Sequence, residues 1–274
     1  MSTAVLLPTG SAMARRRRVF AVILRDFYVL RRSTARIFEV VYWPVIELVV
    51  WGYVSVFLQT RQVPAVATTL LGGVLLWQVL FRAHSESSVG FLEDIWSRNL
   101  LNVFAAPLAV SEYLTGIIAF GALKLLTGIA IMAGIAFALY GFGIFSLGPA
   151  LLPFLAVLLT MGWALAIVTF GIILRFGQGA EILAWALAFV FQPFAGVFYP
   201  VHVLPPVMQA IAKVVPASYV FEGMRIVLAG GGVPWSNIGI AALLNLLYAA
   251  GALWFFARMV AKVRANGGLS RFGE

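Results

Sequence analysis

Two ionisable side chains stand deep inside otherwise apolar runs, Glu47 and Lys124. Each lies about ten residues into its run, roughly 15 Å deep at ~1.5 Å per residue. An isolated charge at such depth in a bilayer costs at least ~2.5–3.5 kcal/mol, so both are expected to face protein or a wetted cavity. Two readings stay open: the two pair with each other and order a transport pathway, or they are separate polar anchors. A second set, Glu93, Asp94, Trp96, Arg98, Asn99, Asn102 and Pro107, mixes charge, an aromatic and amides in a polar stretch over residues 85–112. That mixture suits a protein interface. Gln78, Gln192 and Asn245 are neutral polar residues within apolar runs, suited to hydrogen bonds between helices.

No enzymatic constellation accompanies them. The chain has no cysteine, which removes disulfides, thiolate metal sites and cysteine nucleophiles. Its two histidines, His84 and His202, are expected on opposite sides of a membrane, so no metal site is expected. His84 and Glu86 are read as capping the inner end of the second span, and His202 as part of an outer gate.

The elements that must position these residues follow from composition. Of 274 residues 62% are hydrophobic and only 11% charged, with a mean hydropathy of +1.00, too little charge to cover a soluble surface. Apolar runs of about 20 residues, enough to cross a bilayer, recur throughout. The spacing predicts an all-α integral membrane protein with six transmembrane helices, near residues 37–58, 66–84, 113–140, 150–174, 181–197 and 238–260. Residues 1–14 are expected to be a disordered tail, 15–36 an amphipathic interfacial helix, and 261–274 a basic tail. Residues 198–237 hold Pro200, Pro205, Pro206, Pro216 and Pro234 between short apolar pieces, and predict an extracytoplasmic re-entrant helical hairpin capping a cavity.

The formal charge of +9 is concentrated at the ends, with eight arginines before the first long run. Such flanking arginines fix orientation and attract lipid headgroups rather than nucleic acid. With six spans, they place both termini in the cytoplasm.

Two stretches resemble the ABC-2 family of bacterial export permeases. One is Gln192-Pro193-Phe194-Ala195-Gly196-Val197-Phe198-Tyr199-Pro200, followed by Leu204-Pro205, Pro216, and Tyr219-Val220-Phe221-Glu222-Gly223-Met224-Arg225. It resembles the family's glycine, aromatic and proline pattern ending in Gly-x-Arg, and implies an external gate at Pro193, Gly196, Tyr199, Pro200, Leu204, Pro205, Pro216, Glu222 and Arg225. The other is Leu100-Leu101-Asn102-Val103-Phe104-Ala105-Ala106-Pro107-Leu108, which resembles the family's cytoplasmic coupling helix. Here Asn99-Leu100 stands where the family has Gly-Thr.

The resemblance implies a permease subunit in the bacterial cytoplasmic membrane that exports a drug-like, lipid or glycan substrate by alternating access. It also implies two copies of a cytoplasmic ABC ATPase carrying ATP and Mg, and a second permease copy as a dimer partner. No GxxxxGK[ST] phosphate loop occurs in these 274 residues, so no cofactor is expected on this chain. The rival reading is an ion-coupled secondary transporter or channel that uses Glu47 and Lys124 without ATP.

Overall fold

The computed structural model describes residues 12–61, 64–99, 102–103 and 106–265. The α-helices are α1 (Ala12–Arg31), α2 (Thr34–Thr60), α3 (Pro64–Trp96), α4 (Val110–Tyr140), α5 (Leu151–Phe176), α6 (Leu183–Ala195), α7 (Pro206–Ala212), α8 (Pro216–Leu228) and α9 (Trp235–Ala265), and residues 102–103 are helical as well. Short 3-10 helices at Ile144–Ala150, Gly177–Ala180 and Val201–Val203 join some of them. No strand occurs among the described residues. Most of the expected disordered tail, residues 1–11, lies outside the described residues, as do residues 266–274 of the basic tail; residues 12–14 are already helical.

Among the described residues five helical segments are long and apolar enough to cross a membrane, not six: Arg36–Thr60, Val66–Trp96, Val110–Tyr140, Ile144–Phe176 and Trp235–Val263. The expected fifth span contracts to α6, whose 13 residues reach only about 20 Å, short of the ~30 Å hydrocarbon core. Its end is local. Gly196 adopts φ 66°, a left-handed conformation that stops the helix and that glycine takes without a Cβ clash.

The expected separate coupling helix is also corrected. The helix of the second span does not end near residue 84 but runs on as α3 to Trp96. Its polar residues looked like a wetted segment, yet they pair inside the bundle: His84 with Thr169 of α5 at 3.0 Å, Ser87 with the Ala83 carbonyl at 2.9 Å, Glu86 with Lys124 of α4 at 2.7 Å. His84 is fully buried there, not a helix cap. Nor is residue range 198–237 a re-entrant hairpin. α7 has only seven residues, and α8 is packed into the main core through Val220, Phe221 and Met224, against α3, α5, α6 and α9. The apolar face of α8 is covered by protein, whereas Val207, Ile211 and Val214 in and after α7 stay exposed.

The core is layered along the bundle. One cluster joins α3, α5, α8 and the 3-10 segment before α5, around Trp77, Phe154 and Phe221. A second, at the other end, joins Val22 of α1, Phe91 of α3, Tyr113 of α4, Phe170 of α5 and Val263 of α9. α1 and the end of α9 therefore meet at one end of the bundle. The return does not depend on an even number of spans: α6 and the α7–α8 assembly carry the chain to the start of α9, which packs on α8. α3 and α5 pack tightly at Gly162, where a Cβ would stand 2.6 Å from both the Ala83 side chain and the Leu80 carbonyl.

Candidate functional site

At the end of the bundle that carries α1, a cavity of about 680 Å³ opens between α1, α2, α3, α4 and α6. α2 lends it one face, because Arg36, Glu39, Val40, Trp43, Ile46 and Glu47 recur at helical spacing. α3 contributes Phe81, Arg82, Ser85, Glu86, Val89 and Glu93, and α4 contributes Phe120 and Lys124. Asp26 and Leu30 of α1 and Trp185 of α6 complete the wall.

The two charges singled out from the sequence both line this cavity but do not touch each other as an ion pair. Lys124 Nζ lies 2.7 Å from Glu86 Oε2, while Glu47 accepts a hydrogen bond from Gln78. Arg82 Nη1 donates to Glu86 Oε1 at 2.8 Å along the same helix. One carboxylate thus serves two cations, and the desolvation of each is offset by a short charged hydrogen bond. Asn245 bonds the Val157 carbonyl (2.7 Å) and Thr160 Oγ1 (2.8 Å), a helix-to-helix tie between α9 and α5.

Three ion pairs fasten α1 and α2 to α3 and the start of α4. Arg18 holds Glu112 through two hydrogen bonds, 2.9 and 2.7 Å, and the Glu112 carboxylate also accepts the Ala109 amide at 3.0 Å. Arg25 reaches Asp94 at 2.8 Å and its neighbour Asp26 at 2.7 Å, and Arg36 reaches Glu93 at 3.0 Å. Burial alone would pull the Arg25 pKa down, but Asp26 and Asp94 together raise it, so it stays charged. Burial raises the Asp26 carboxyl above its ordinary value against the opposing pull of Arg25. The hydrogen bond to Glu112 is the main cause that raises Arg18.

These pairs sort the residues expected at a partner interface. Asp94 is buried and accepts from Arg25, from the Tyr113 hydroxyl (2.6 Å) and from Asn99 (3.3 Å). Glu93 is half-buried against Arg36. Trp96 donates from its indole to Glu181 at 3.0 Å, stacks near Trp185, and remains exposed. Arg98, at φ 53°, is exposed, as are Asn102 and Pro107, and Asn102 donates to Asn99 at 3.2 Å. Residues 100, 101, 104 and 105 of the resembling stretch lie outside the described residues.

The expected gate residues gather at the opposite end. Arg225 of α8 donates to the carbonyls of Gly196, Val197 (3.3 Å) and Tyr199 (2.8 Å), while Glu222 accepts the Val201 amide at 2.6 Å and lies 3.4 Å from Arg225. Tyr199 donates to the Pro193 carbonyl at 2.9 Å. Burial lowers the Arg225 pKa, and Glu222 opposes this. Pro216 opens α8 at its first turn, where proline needs no amide partner. Pro200, Leu204 and Pro205 carry extended backbone between the short helices, and the Gln209 amide donates to the His202 and Leu204 carbonyls. Phe198 stacks on Trp51 of α2 at 4.6 Å. The cluster is a backbone clamp with one arginine at its centre.

Sequence reasoning missed Arg82, although its four-residue spacing from Glu86 is a visible helical pairing signal. It had no signal for Glu181 as the partner of Trp96. Among the described residues no group of three His, Cys, Asp or Glu could hold a metal ion.

A family model described as ABC-2 type transporter matches residues 18–229, most of the chain, including every residue of the cavity lining and of the clamp around Arg225 but none of α9. No curated protein matches it.

Proposed function

We propose that this chain, which belongs to the ABC-2 type transporter family, is the membrane-spanning subunit of an ATP-driven exporter whose ATPase is a separate chain. Transport through a multi-pass helical bundle is the family's general role; export, ATP coupling and dimer formation are our reading. The observation that carries it is the charged cavity at the end of the bundle where the arginines of α1 collect. By the positive-inside rule that end faces the cytoplasm, which is where an exporter takes up its cargo.

The exposed turn beside the cavity supplies the ATPase contact in this reading. Trp96, Arg98, Asn102 and Pro107 present an aromatic, a cation and an amide on a segment whose base is held by Asp94 and Glu93. Force applied there passes through Arg25 and Arg36 into α1 and α2, and so into two walls of the cavity. With no phosphate loop in the 274 residues, hydrolysis belongs to the partner. A second copy of the permease completes the pathway, and the clamp around Arg225 closes its far end.

Co-expression with a candidate ABC ATPase tests this. Co-purification with ATP hydrolysis that Trp96→Ala and Arg98→Ala together reduce is the expected result. A stable chain that binds no ATPase and moves solute in liposomes without ATP would overturn it in favour of an ion-coupled transporter.

A further inference from the structure

We infer that the cavity between α1, α2, α3, α4 and α6 binds a lipophilic cation: a molecule of drug-like size with an aromatic or aliphatic body and one permanent or protonated positive charge. This names the substrate class of the proposed exporter and rests on that reading only for the direction of movement.

The argument starts from unmatched charge. Five acids line the cavity, Asp26, Glu39, Glu47, Glu86 and Glu93, against three bases, Arg36, Arg82 and Lys124. Pairing does not remove the imbalance. Arg36 is matched by Glu93, and Arg25 adds one positive charge from behind the wall but brings Asp94 with it. The balance stays at two negative charges whether or not that outer pair is included. The excess falls on α2: neither Glu39 nor Glu47 is in an ion pair among the described residues, Glu47 is hydrogen-bonded to the neutral amide of Gln78, and both carboxylates share the longer-range field of Arg82. Arg82, the base that acts on both, is already engaged by Glu86 in a direct pair, as is Lys124.

The remaining lining fits the rest of such a molecule. Trp43 lies on the α2 face between Glu39 and Glu47, with Phe81, Phe120 and Trp185 on the other walls. Aromatic faces attract cations as well as apolar bodies, the more so where water is excluded. About 680 Å³ lies within the range that holds one drug-sized ligand. A cation entering between Glu39 and Glu47 would hold both carboxylates ionised at a depth where a lone charge is costly. An anionic molecule of the same shape meets a wall with two more carboxylates than cations and is repelled.

Tetraphenylphosphonium and tetraphenylborate share size and shape and differ in sign, so they isolate the charge. Binding of each to the purified full chain in lipid nanodiscs would be measured by equilibrium dialysis, with empty nanodiscs subtracted. The phosphonium is expected to bind saturably and the borate not to compete. Removing one full charge within ~10 Å is expected to weaken phosphonium binding about tenfold in Glu47→Gln. Glu39→Gln, at an exposed position where folding is not at risk, should weaken it in the same direction, and Lys124→Gln should leave it equal or tighter. Saturable borate binding as tight as phosphonium, or unchanged phosphonium affinity in both glutamine variants, overturns the inference. The assay needs neither ATP nor an ATPase. Failure here with intact ATPase pairing sinks only the cation; intact binding with failed pairing sinks the exporter reading instead.

Discussion

Glu86 of α3 holds Lys124 of α4 at 2.7 Å with one carboxylate oxygen and Arg82 at 2.8 Å with the other. The carboxylate is the hinge of the network, since removing it strands two cations, whereas removing either cation leaves a pair. Breaking a buried pair from one side costs about 3–5 kcal/mol. Glu86 and Lys124 keep slight exposure, so Glu86→Gln is expected near the lower end of that range. Lys124→Gln should cost less. Thermal midpoints of the purified variants in one detergent check the order, and equal shifts would show that the two cations do not depend on the shared carboxylate.

Arg225 serves carbonyls, not a substrate, so the expected lesion is structural. Its guanidinium reaches Gly196, Val197 and Tyr199 at once, which a lysine ammonium on a flexible stem does not reproduce. Hydrogen bonds from a charged group contribute about 1.5–3 kcal/mol. Arg225→Lys should therefore loosen residues 196–205 while leaving α3 and α5 intact. Limited proteolysis reads this directly: new cleavage in that loop is expected, and a protease pattern identical to the parent would count against the clamp.

Asp94 and Arg98 separate a scaffold role from a contact role. Asp94→Ala leaves Arg25 without its partner across the helices and the buried Tyr113 hydroxyl without this acceptor, so stability should fall by about 3 kcal/mol. Arg98→Ala changes an exposed residue and should stay within about 0.5 kcal/mol. ATPase pairing should nonetheless weaken in Arg98→Ala. The comparison is made with melting curves and co-purification on the same preparations; a stable Asp94→Ala protein would remove the scaffold role.

These residues also mark what was legible in the sequence. The long helices α2, α4 and α9 stand within a few residues of their apolar runs, because length and hydropathy alone decide such elements. The polar half of α3 reads as a segment facing a partner protein because local composition does not reveal that Glu86, Glu93 and Asp94 have partners on other helices. Only Arg82 and Glu86, four residues apart on one helix, carried that signal locally. The fifth apolar run was near the length threshold, and its truncation at Gly196 depends on a backbone conformation fixed by contacts with α8. The Gly-x-Arg motif was visible, but carbonyls have no letter in a sequence, so the object of its arginine was not.

Gly162 sets how closely α5 can lie against α3, and through α3 how the cavity wall is placed. A Cβ there would stand 2.6 Å from Ala83 Cβ and from the Leu80 carbonyl oxygen. The second of these is backbone in the middle of a long helix and has little freedom to give way. Relief requires the two helices to separate, which loosens packing around Phe154, Leu158 and Trp77 in the same core. Overpacking of this kind costs about 1–3 kcal/mol. Gly162→Ala should lower the thermal midpoint, and Gly162→Leu should do so further or prevent accumulation in the membrane. Ala83→Gly removes one of the two clashing atoms but not the carbonyl, so it should restore only part of the loss in Gly162→Ala. Full restoration would mean that the side chain, not the backbone, limits the approach of the helices.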